Sequence, residues 1–254
     1  MNSYIVAIPT YQRSSSIVKK TLTTLKQGGV NASCIYIFVA NEEEALAYTA
    51  AVPREYYHQM VIGVPGICHQ RNFISAYFPE GEHIISIDDD IEGYITKGQR
   101  GELMKLEDVH NFFIHAFKTL HEYRLNIWGL YPMKNAMFMR KPVRVGFLAI
   151  IGTTFGYINR HNPALYLTSV YGKEDIENSI LYHLLDGAVM RFDQVTVNTK
   201  FNQPGGLGVE RHEMNEKSAD YLRAKHPDRV TKFYRKNGIA ELRLSKKIKY
   251  VGIL

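Results

Sequence analysis

The first ninety residues alternate between short apolar runs and stretches with a helical period. Runs rich in β-branched residues predict four strands, at residues 4–9, 34–40, 59–64 and 83–87. Capping polar residues and glycines between them predict helices at residues 14–27, 42–51 and 67–77. Three βα units in succession predict an α/β fold with a largely parallel sheet, in which ligands bind beyond the carboxyl ends of the strands.

The pattern changes after residue 90. We predict a long helix at residues 107–123, strands at 126–131, 146–151 and 155–158, and another helix at 175–185. A Pro-Gly-Gly sequence predicts a loop over residues 201–208, and a basic helix is predicted at 213–226. No repeat or linker divides the chain, so we expect a single domain.

Three carboxylates follow the fourth predicted strand directly. The apolar sequence Ile-Ile-Ser-Ile is typical of a buried central strand, and it ends in Asp88, Asp89 and Asp90. Asp88 and Asp90 lie two positions apart, so on an extended strand end they project to the same side. Three acids repel one another unless a cation lies among them, and carboxylate oxygens suit a hard divalent ion. The alternative is an acidic turn without a ligand.

Two further segments are expected at the same edge of the sheet. Residues 9–13, Pro-Thr-Tyr-Gln-Arg, follow the first strand and combine helix-start N–H groups, an aromatic ring and an arginine, which suits a nucleotide. Arg71 and Asn72 lie in a predicted helix that begins after Gly66, within reach of a base, ribose or phosphate. The alternatives are a common turn and an ordinary helix start with a surface arginine.

The charge of the chain is unevenly distributed. The net charge is +6, but residues 123–173 contain seven basic and no acidic residues, and residues 211–254 contain 12 basic and five acidic ones. This segregation favours a polyanionic partner such as nucleic acid or a membrane surface, against the alternative of a solvated basic surface.

The remaining composition is that of an ordinary globular protein. Hydrophobic content is 45% and charged content 22%. Cys34 and Cys68 lie in apolar surroundings without metal-binding spacing, which favours buried free thiols in a reducing compartment. The N-terminus leads directly into a strand, so we expect no signal peptide, no membrane span and a cytoplasmic protein.

In this order and spacing, the three motifs resemble the nucleotide-sugar-binding half of GT-A glycosyltransferases, particularly the family 2-like group. The matching positions are Pro9 to Arg13, Gly66 to Asn72, and Asp88 to Asp90. The resemblance covers residues 4–92 well and continues more loosely to about residue 190. It implies a nucleotide-sugar half at 1–92, an acceptor half with a smaller sheet at 93–210, and a basic C-terminal extension at 211–254.

The resemblance also implies a uridine diphosphate sugar as donor and Mn²⁺ or Mg²⁺ as cofactor. By position, Asp90 is the implied metal ligand, Asp88 faces the ribose or the metal, and Asp89 points away. Pro9, Thr10, Tyr11, Arg13, Arg71 and Asn72 complete the implied donor site. Many members place an acid at the end of the second strand to hold uracil. This chain has Asn41 and Glu43 there instead, and either is a candidate.

A general base is needed to deprotonate the acceptor hydroxyl. Relatives that invert the anomeric centre carry a Glu-Asp pair before a helix, and here Glu174 and Asp175 take that position. Asp175 is the first candidate and Glu174 the second, against the alternative of helix capping. His212 is a candidate third metal ligand, as late histidines are in some relatives, or else a surface residue.

The acid-free block suggests a nucleic-acid acceptor. Arg140, Lys141 and Arg144 lie at its centre among aromatic residues, the expected footprint of a phosphate backbone with an unstacked base. The chain thereby resembles the viral DNA glycosyltransferases of the TET/JBP-associated group, which implies transfer to hydroxymethylated bases of double-stranded DNA. It would then work in the host cytoplasm, by extruding the base, without a membrane or an obligate protein partner.

Two other functions compete with this one. A family 2-like transferase that acts on a polysaccharide, a lipid-linked acceptor or a protein would direct its basic patches to other anions. A nucleic-acid-binding module without catalysis is the third, although the clustered acids argue against it.

Overall fold

Eight strands form the central sheet of the computed structural model, which describes residues 4–199 and 211–248. Their order is β3-β2-β1-β4-β9-β7-β10-β8. The bounds are β1 (Ile5–Pro9), β2 (Ile35–Val39), β3 (Gln59–Ile62), β4 (His83–Ile87), β7 (Ile127–Leu130), β8 (Val143–Gly146), β9 (Thr154–Ile158) and β10 (Val189–Phe192). A smaller antiparallel sheet holds β5 (Gly93–Lys97), β6 (Leu103–Lys105) and β11 (Val195–Asn198).

Helices cover both faces of the central sheet because its strands bury alternate side chains on opposite sides. On β1, Val6 and Ile8 join the hydrophobic cluster of the first face, whereas Ala7 joins the cluster of the second face. The first face is covered by α1 (Ser14–Ile17), which continues through a π-helical turn into α2 (Thr23–Gln27), and by α3 (Glu42–Ala51) and α5 (Val109–Glu122). The second face is covered by α4 (Ile67–Tyr77) and α6 (Glu174–Asp186).

Six strands of the central sheet run in one direction. Strands β1 to β4 pair in parallel, and β7 and β10 share their direction because β9 is antiparallel to both β4 and β7. The carboxyl ends of these six strands therefore lie along one edge. This edge is the one at which the sequence placed its candidate site.

Most predicted elements are confirmed, and α3, α4 and β4 have the predicted bounds. The predicted strand at residues 146–151 is wrong, because β8 ends at Gly146. The apolar residues after it line the core from a loop: Ile150 is buried, and its N–H donates to Ser179 Oγ of α6. The predicted loop at residues 201–208 lies outside the described residues.

A small C-terminal unit packs against α6. It consists of α7 (Arg211–Lys225) and the hairpin of β12 (Val230–Tyr234) and β13 (Ala240–Leu244), and its cluster includes Ile180 of α6 together with Leu222 and Val230. Elsewhere, Cys34 and Cys68 are buried free thiols, as predicted. None of the described helices is long and apolar enough to cross a membrane.

Two histidines at the junction with the C-terminal unit, the buried His183 and the half-buried His226, make its stability sensitive to acid. Arg229 Nη1 donates to Nδ1 of His183 at 2.9 Å, which requires a neutral imidazole. Burial lowers the pKa of His183 below 6.5, and Arg229 lowers it further. Burial also lowers the pKa of His226, and Lys225 adds to that shift.

We therefore expect the free energy of unfolding to fall as the pH drops below about 6.5, since the unfolded chain then binds protons that the folded histidines exclude. Above that pH both histidines are neutral in the folded and the unfolded chain, and the full free energy of unfolding is present. Urea titrations at about pH 7.5 and about pH 5.5 measure the difference, which His183→Phe should reduce. The control is His58→Phe at an exposed position, which should leave the difference between the two pH values unchanged. An unchanged pH dependence in His183→Phe would contradict the assignment.

Candidate active site

The carboxyl ends of β1 and β4 are joined by a chain of hydrogen bonds. The N–H of Arg13 donates to the Tyr48 hydroxyl at 2.9 Å, which lies 2.5 Å from Thr10 Oγ1. Thr10 Oγ1 in turn donates to Asp89 Oδ2 at 2.5 Å. Thr10, Tyr48 and Asp89 are buried, and burial raises the pKa of Tyr48 to about 12. These contacts fix the loop after β1 against the acidic triplet.

Arg13 supplies positive charge to two of the three carboxylates. Its Nη1 lies 2.9 Å from Asp89 Oδ1 and 2.8 Å from Asp90 Oδ2. Asp90 Oδ1 also accepts a hydrogen bond from Thr199 Oγ1 at 3.0 Å. Asp89 therefore points into side-chain contacts with the β1 loop. Part of the repulsion within the triplet is relieved by an arginine that the sequence had placed at the donor phosphate.

Asp88 faces a second arginine. Its Oδ1 lies 3.6 Å from Nη2 of the buried Arg71, and 35% of its side-chain surface is exposed. Desolvation of this partly exposed carboxyl group raises the pKa of Asp88, Arg71 opposes that shift, and the neighbouring Asp89 and Asp90 add to it. The Asp88 carboxylate is thus under-compensated by the protein, which suits a group that receives a further cation.

Arg71 also binds the first acid of the Glu-Asp pair. Its Nη1 lies 2.5 Å from Glu174 Oε1, and its Nη2 donates to the carbonyl of Gly152 at 3.1 Å. A side chain at residue 152 would collide with the guanidinium, since a Cβ there would lie 2.7 Å from Nη2. Burial raises the pKa of Glu174, against the effect of Arg71. One arginine thus connects the triplet to the start of α6.

Asp175 is held at the same place with a carboxylate that is only half-buried. Its Oδ2 accepts from the N–H of Gly152 at 3.2 Å and its Oδ1 from the N–H of Ile176 at 2.8 Å. Lys173, which precedes the pair, has a left-handed φ of 54°, as does Gln12 in the β1 loop. Non-glycine residues with positive φ are uncommon and cluster at functional sites.

The acid triplet fits a divalent ion that takes some of its ligands from a substrate. Within the described ranges, no group of three or more His, Cys, Asp and Glu side chains is placed to hold a metal. Mn²⁺ and Mg²⁺ prefer oxygen ligands, and Mg²⁺ is commonly bound by one or two carboxylates together with substrate phosphates. Asp88 and Asp90 offer such a pair. The side chain of the third candidate ligand, His212, lies outside the described residues.

The other predicted donor residues differ in their availability. Tyr11 is exposed at the rim, and Pro9 is the last residue of β1. Asn41 caps α3 by accepting from the N–H of Glu44 at 2.9 Å. Both polar atoms of the Asn72 side chain bond the backbone of Leu167, so Asn72 fixes a loop in this structure.

The three predicted acceptor residues lie at one end of the central sheet. Arg144 is in the edge strand β8 and lies 3.3 Å from the buried Asp193, while Arg140 and Lys141 are exposed just before it. None of these three side chains makes a described hydrogen bond or ion pair with the acid triplet.

Sequence reasoning missed the residues that organise the site. Tyr48 lies on α3 in a sequence that reads as ordinary helix, and Gly152 and Thr199 lie in irregular segments. Glu177 has no exposed side-chain surface and accepts hydrogen bonds from the N–H groups of Thr168 and Ser169. The one sequence signal for Glu177 was its position three residues after Glu174, which places both on the same face of α6.

The fold is shared with solved glycosyltransferase structures. Residues 1–349 of TarS from S. aureus match with a TM-score of 0.51 and 13% identity, over 88% of this chain and 72% of that one. The mannosyltransferase PcManGT from Pyrobaculum calidifontis, in complex with GDP-Man and Mn²⁺, matches with a TM-score of 0.50 and 13% identity. The match covers 87% of this chain and 61% of that one. Glucosyl-3-phosphoglycerate synthase from Mycobacterium tuberculosis, in complex with Mn²⁺, UDP and glucosyl-3-phosphoglycerate, matches with a TM-score of 0.53 and 9% identity. The match covers 96% of this chain and 87% of that one.

No protein-family model and no curated protein matches the chain. At the identities found, the structural matches establish the fold and nothing finer. The chain has the GT-A fold, as the resemblance of its three motifs implied.

Proposed function

We propose that this GT-A chain transfers a sugar from a uridine diphosphate donor in a reaction that depends on Mn²⁺ or Mg²⁺. The observation that carries the proposal is the convergence of three sequence-distant groups at one edge of the sheet. These are the β1 loop with Arg13, the triplet Asp88–Asp90, and the Glu174–Asp175 pair, which Arg71 links to the triplet. Two structures with the same fold contain a nucleotide and Mn²⁺.

Each group has a distinct proposed role. Asp90, with Asp88, would hold the divalent ion, which when bound stabilises charge that develops on the departing diphosphate. Arg13 keeps Asp89 and Asp90 in place and brings positive charge to the same region. Arg71 orients Glu174 and Asp88 without spare charge of its own, because both of its terminal nitrogens are engaged.

Asp175 is the proposed general base. Its carboxylate is half-buried beside Gly152, and among the described residues its two oxygens accept only backbone N–H groups. A carboxylate in this state accepts a proton from an acceptor hydroxyl as the hydroxyl attacks. The Glu-Asp pair resembles that of inverting members, in which a single displacement by the acceptor hydroxyl inverts the anomeric centre, so we propose an inverting reaction.

The proposed acceptor is a hydroxymethylated base, of the 5-hydroxymethylcytosine type, in double-stranded DNA. Support comes from the acid-free block, whose exposed Arg140 and Lys141 lie beside β8. A cytoplasmic location, that of a host if the chain is viral, accords with these two substrates. Acceptors of the polysaccharide, lipid-linked or protein class are the alternative.

A transfer assay tests the donor and the acceptor together. Mn²⁺, a panel of uridine diphosphate sugars, and duplexes with or without 5-hydroxymethylcytosine are combined, and the products are read by mass. We expect a sugar-sized increment on the hydroxymethylated duplex alone. Donor hydrolysis without DNA modification would move the acceptor to the alternative class. Neither signal would favour a binding module without catalysis.

The basic block should govern the salt dependence of DNA binding. Arg140→Glu/Lys141→Glu is expected to weaken binding and to reduce the slope of log K against log salt by about two, as each lost phosphate contact removes about 0.9. Arg144 is left unchanged because a reversed charge there would face the buried Asp193. Fluorescence anisotropy at several salt concentrations measures the slope.

The matched control for this pair is Lys19→Glu/Lys118→Glu, which makes the same charge change at exposed positions of the helical layer. It should lower affinity slightly and leave the slope within about half a unit of the unmodified protein. Equal slopes in both double variants would remove the block as the DNA-binding surface.

A further inference from the structure

The loop after β7 displays three large apolar side chains to solvent. Met133, Met137 and Phe138 are 53%, 65% and 48% exposed. Grouped exposure of apolar side chains costs stability and marks interaction sites in proteins that bind partners. Lys134, Arg140 and Lys141 flank the three residues, so the apolar group is surrounded by positive charge.

Hydrogen bonds from β5 and within the loop fix the backbone of this loop. Lys97 Nζ of β5 donates to the carbonyls of Ala136 and Met139 at 2.8 and 2.9 Å. Met139 is fully buried and anchors the end of the loop, while Asn135 Oδ1 accepts from the N–H of Met137 at 3.1 Å. The exposed side chains thus project from a pre-organised backbone, which lowers the entropic cost of inserting them into a partner.

The loop leaves the sheet at the edge that carries the candidate active site. Strand β7 runs in the same direction as β4, so its carboxyl end shares an edge with Asp88–Asp90. Contacts continue from the loop to the triplet: Lys134 Nζ lies 3.4 Å from Asn198 Oδ1, and the next residue, Thr199, donates to Asp90.

We propose that Met137 and Phe138 form a wedge that enters the base stack of duplex DNA and holds open the place of the extruded acceptor base. This inference rests on the proposed DNA acceptor and adds the element that exposes the base. Apolar side chains that enter a base step unstack it, and the flanking cations hold the adjacent phosphates. A base inside a duplex is otherwise out of reach of the acidic triplet and Asp175.

Comparison of duplex with single-stranded acceptor isolates the wedge. Met137→Ser/Phe138→Ser is expected to lower the transfer rate to a hydroxymethylated duplex at least about tenfold, because unstacking then lacks its compensating contact. Transfer to the single-stranded oligonucleotide of the same sequence, which needs no extrusion, should change less than about twofold. The control Leu46→Ser/Ile114→Ser makes the same change at exposed apolar positions of α3 and α5 and should affect neither substrate.

Phe138→Trp gives an optical readout of insertion. The chain has a single tryptophan, the buried Trp128, so the added indole reports on the loop. Its emission should be quenched on addition of hydroxymethylated duplex, while 2-aminopurine next to the target base brightens. A blue shift with phosphatidylglycerol vesicles in place of these changes would identify a membrane-facing loop and overturn the wedge.

The outcomes separate the two proposals. If the serine variant modifies duplex and single strand at unchanged rates, the wedge is wrong while the DNA acceptor stands. If the unmodified protein transfers sugar to neither DNA form, the proposed acceptor fails and the wedge falls with it. A loss confined to the duplex supports both.

Discussion

Asp90→Asn is expected to reduce sugar transfer by about 10³-fold or more and to leave the protein folded. Charge stabilisation of a departing diphosphate by a divalent ion is worth several kcal/mol, and each 1.36 kcal/mol corresponds to a factor of about ten in rate. Asparagine keeps the size of the side chain and one oxygen for Arg13, while its NH2 group can donate to the Thr199 hydroxyl, so the local contacts survive. Only the charge and one ligand oxygen are lost.

A binding measurement separates the metal role from a general loss of structure. Calorimetric titration with UDP should show Mn²⁺-enhanced affinity in the unmodified protein and little enhancement in Asp90→Asn. The exposed Asp228→Asn makes the same chemical change away from the site and should behave as the unmodified protein does. Full transfer by a soluble Asp90→Asn variant would remove Asp90 from the site.

The first half of the fold, residues 4–92, was predictable because its signals are local. Each strand of the first half is a short apolar run, and capping or glycine residues mark the helix starts, such as Asn41 before α3 and Gly66 before α4. Where neighbouring elements repeat as βα units, handedness and parallel pairing follow from general rules. Thr10, Arg13 and the aspartates therefore met at one edge as predicted, and Thr10 Oγ1 contacts Asp89 directly.

The part of the fold after residue 92 was harder to predict because its signals depend on tertiary contacts. Strands β5, β6 and β11 are three to five residues long and pair only with one another, so no strong period marks them. The apolar run at residues 147–151 has the composition of a strand, but it packs as a loop against α6 through Ser179. Composition indicates burial there, and only the packing partner decides the backbone conformation.

The counter-charges of the triplet illustrate the same limit within the site. It was predictable that three carboxylates need a cation beside them, but not which basic side chains of the protein would lie there. Arg13 lies in the loop after β1 and Arg71 lies on α4, so their guanidinium groups reach the triplet from two separate βα units. Ion pairs between residues so far apart in the sequence can be predicted only once the strand order is known.

Arg71 shows how the fold joins the acidic triplet to the start of α6. It is buried on α4, contacts Asp88 on one side and Glu174 on the other, and depends on the absence of a side chain at Gly152. The start of α6 is thereby fixed relative to the end of β4. This arrangement places Asp175 beside the triplet without any direct contact between them.

Asp175→Asn is the second variant with a large expected effect, a fall in kcat of about 10³-fold, within the range of about 10²–10⁴ that general bases contribute. Asparagine has one oxygen, so it keeps one of the hydrogen bonds from the N–H groups of Gly152 and Ile176 and loses the other together with the basic carboxylate. The loss of one hydrogen bond should lower the melting temperature by about 2–4 °C, the effect of about 1 kcal/mol. The KM for the donor should change little, because Asp175 makes no contact with the predicted donor residues among the described side chains.

Glu174→Gln distinguishes the two members of the pair. Glutamine keeps a hydrogen-bond acceptor for Arg71 but removes the charge, which leaves the buried guanidinium with Asp88 as its remaining close carboxylate. We expect a loss of stability and a weaker donor affinity, since a buried charge that loses its partner is costly. Its kcat should fall less than that of Asp175→Asn, and added formate should restore turnover only to Asp175→Asn. A reversed pattern, with the larger kcat loss and the formate rescue in Glu174→Gln, would assign the base to Glu174.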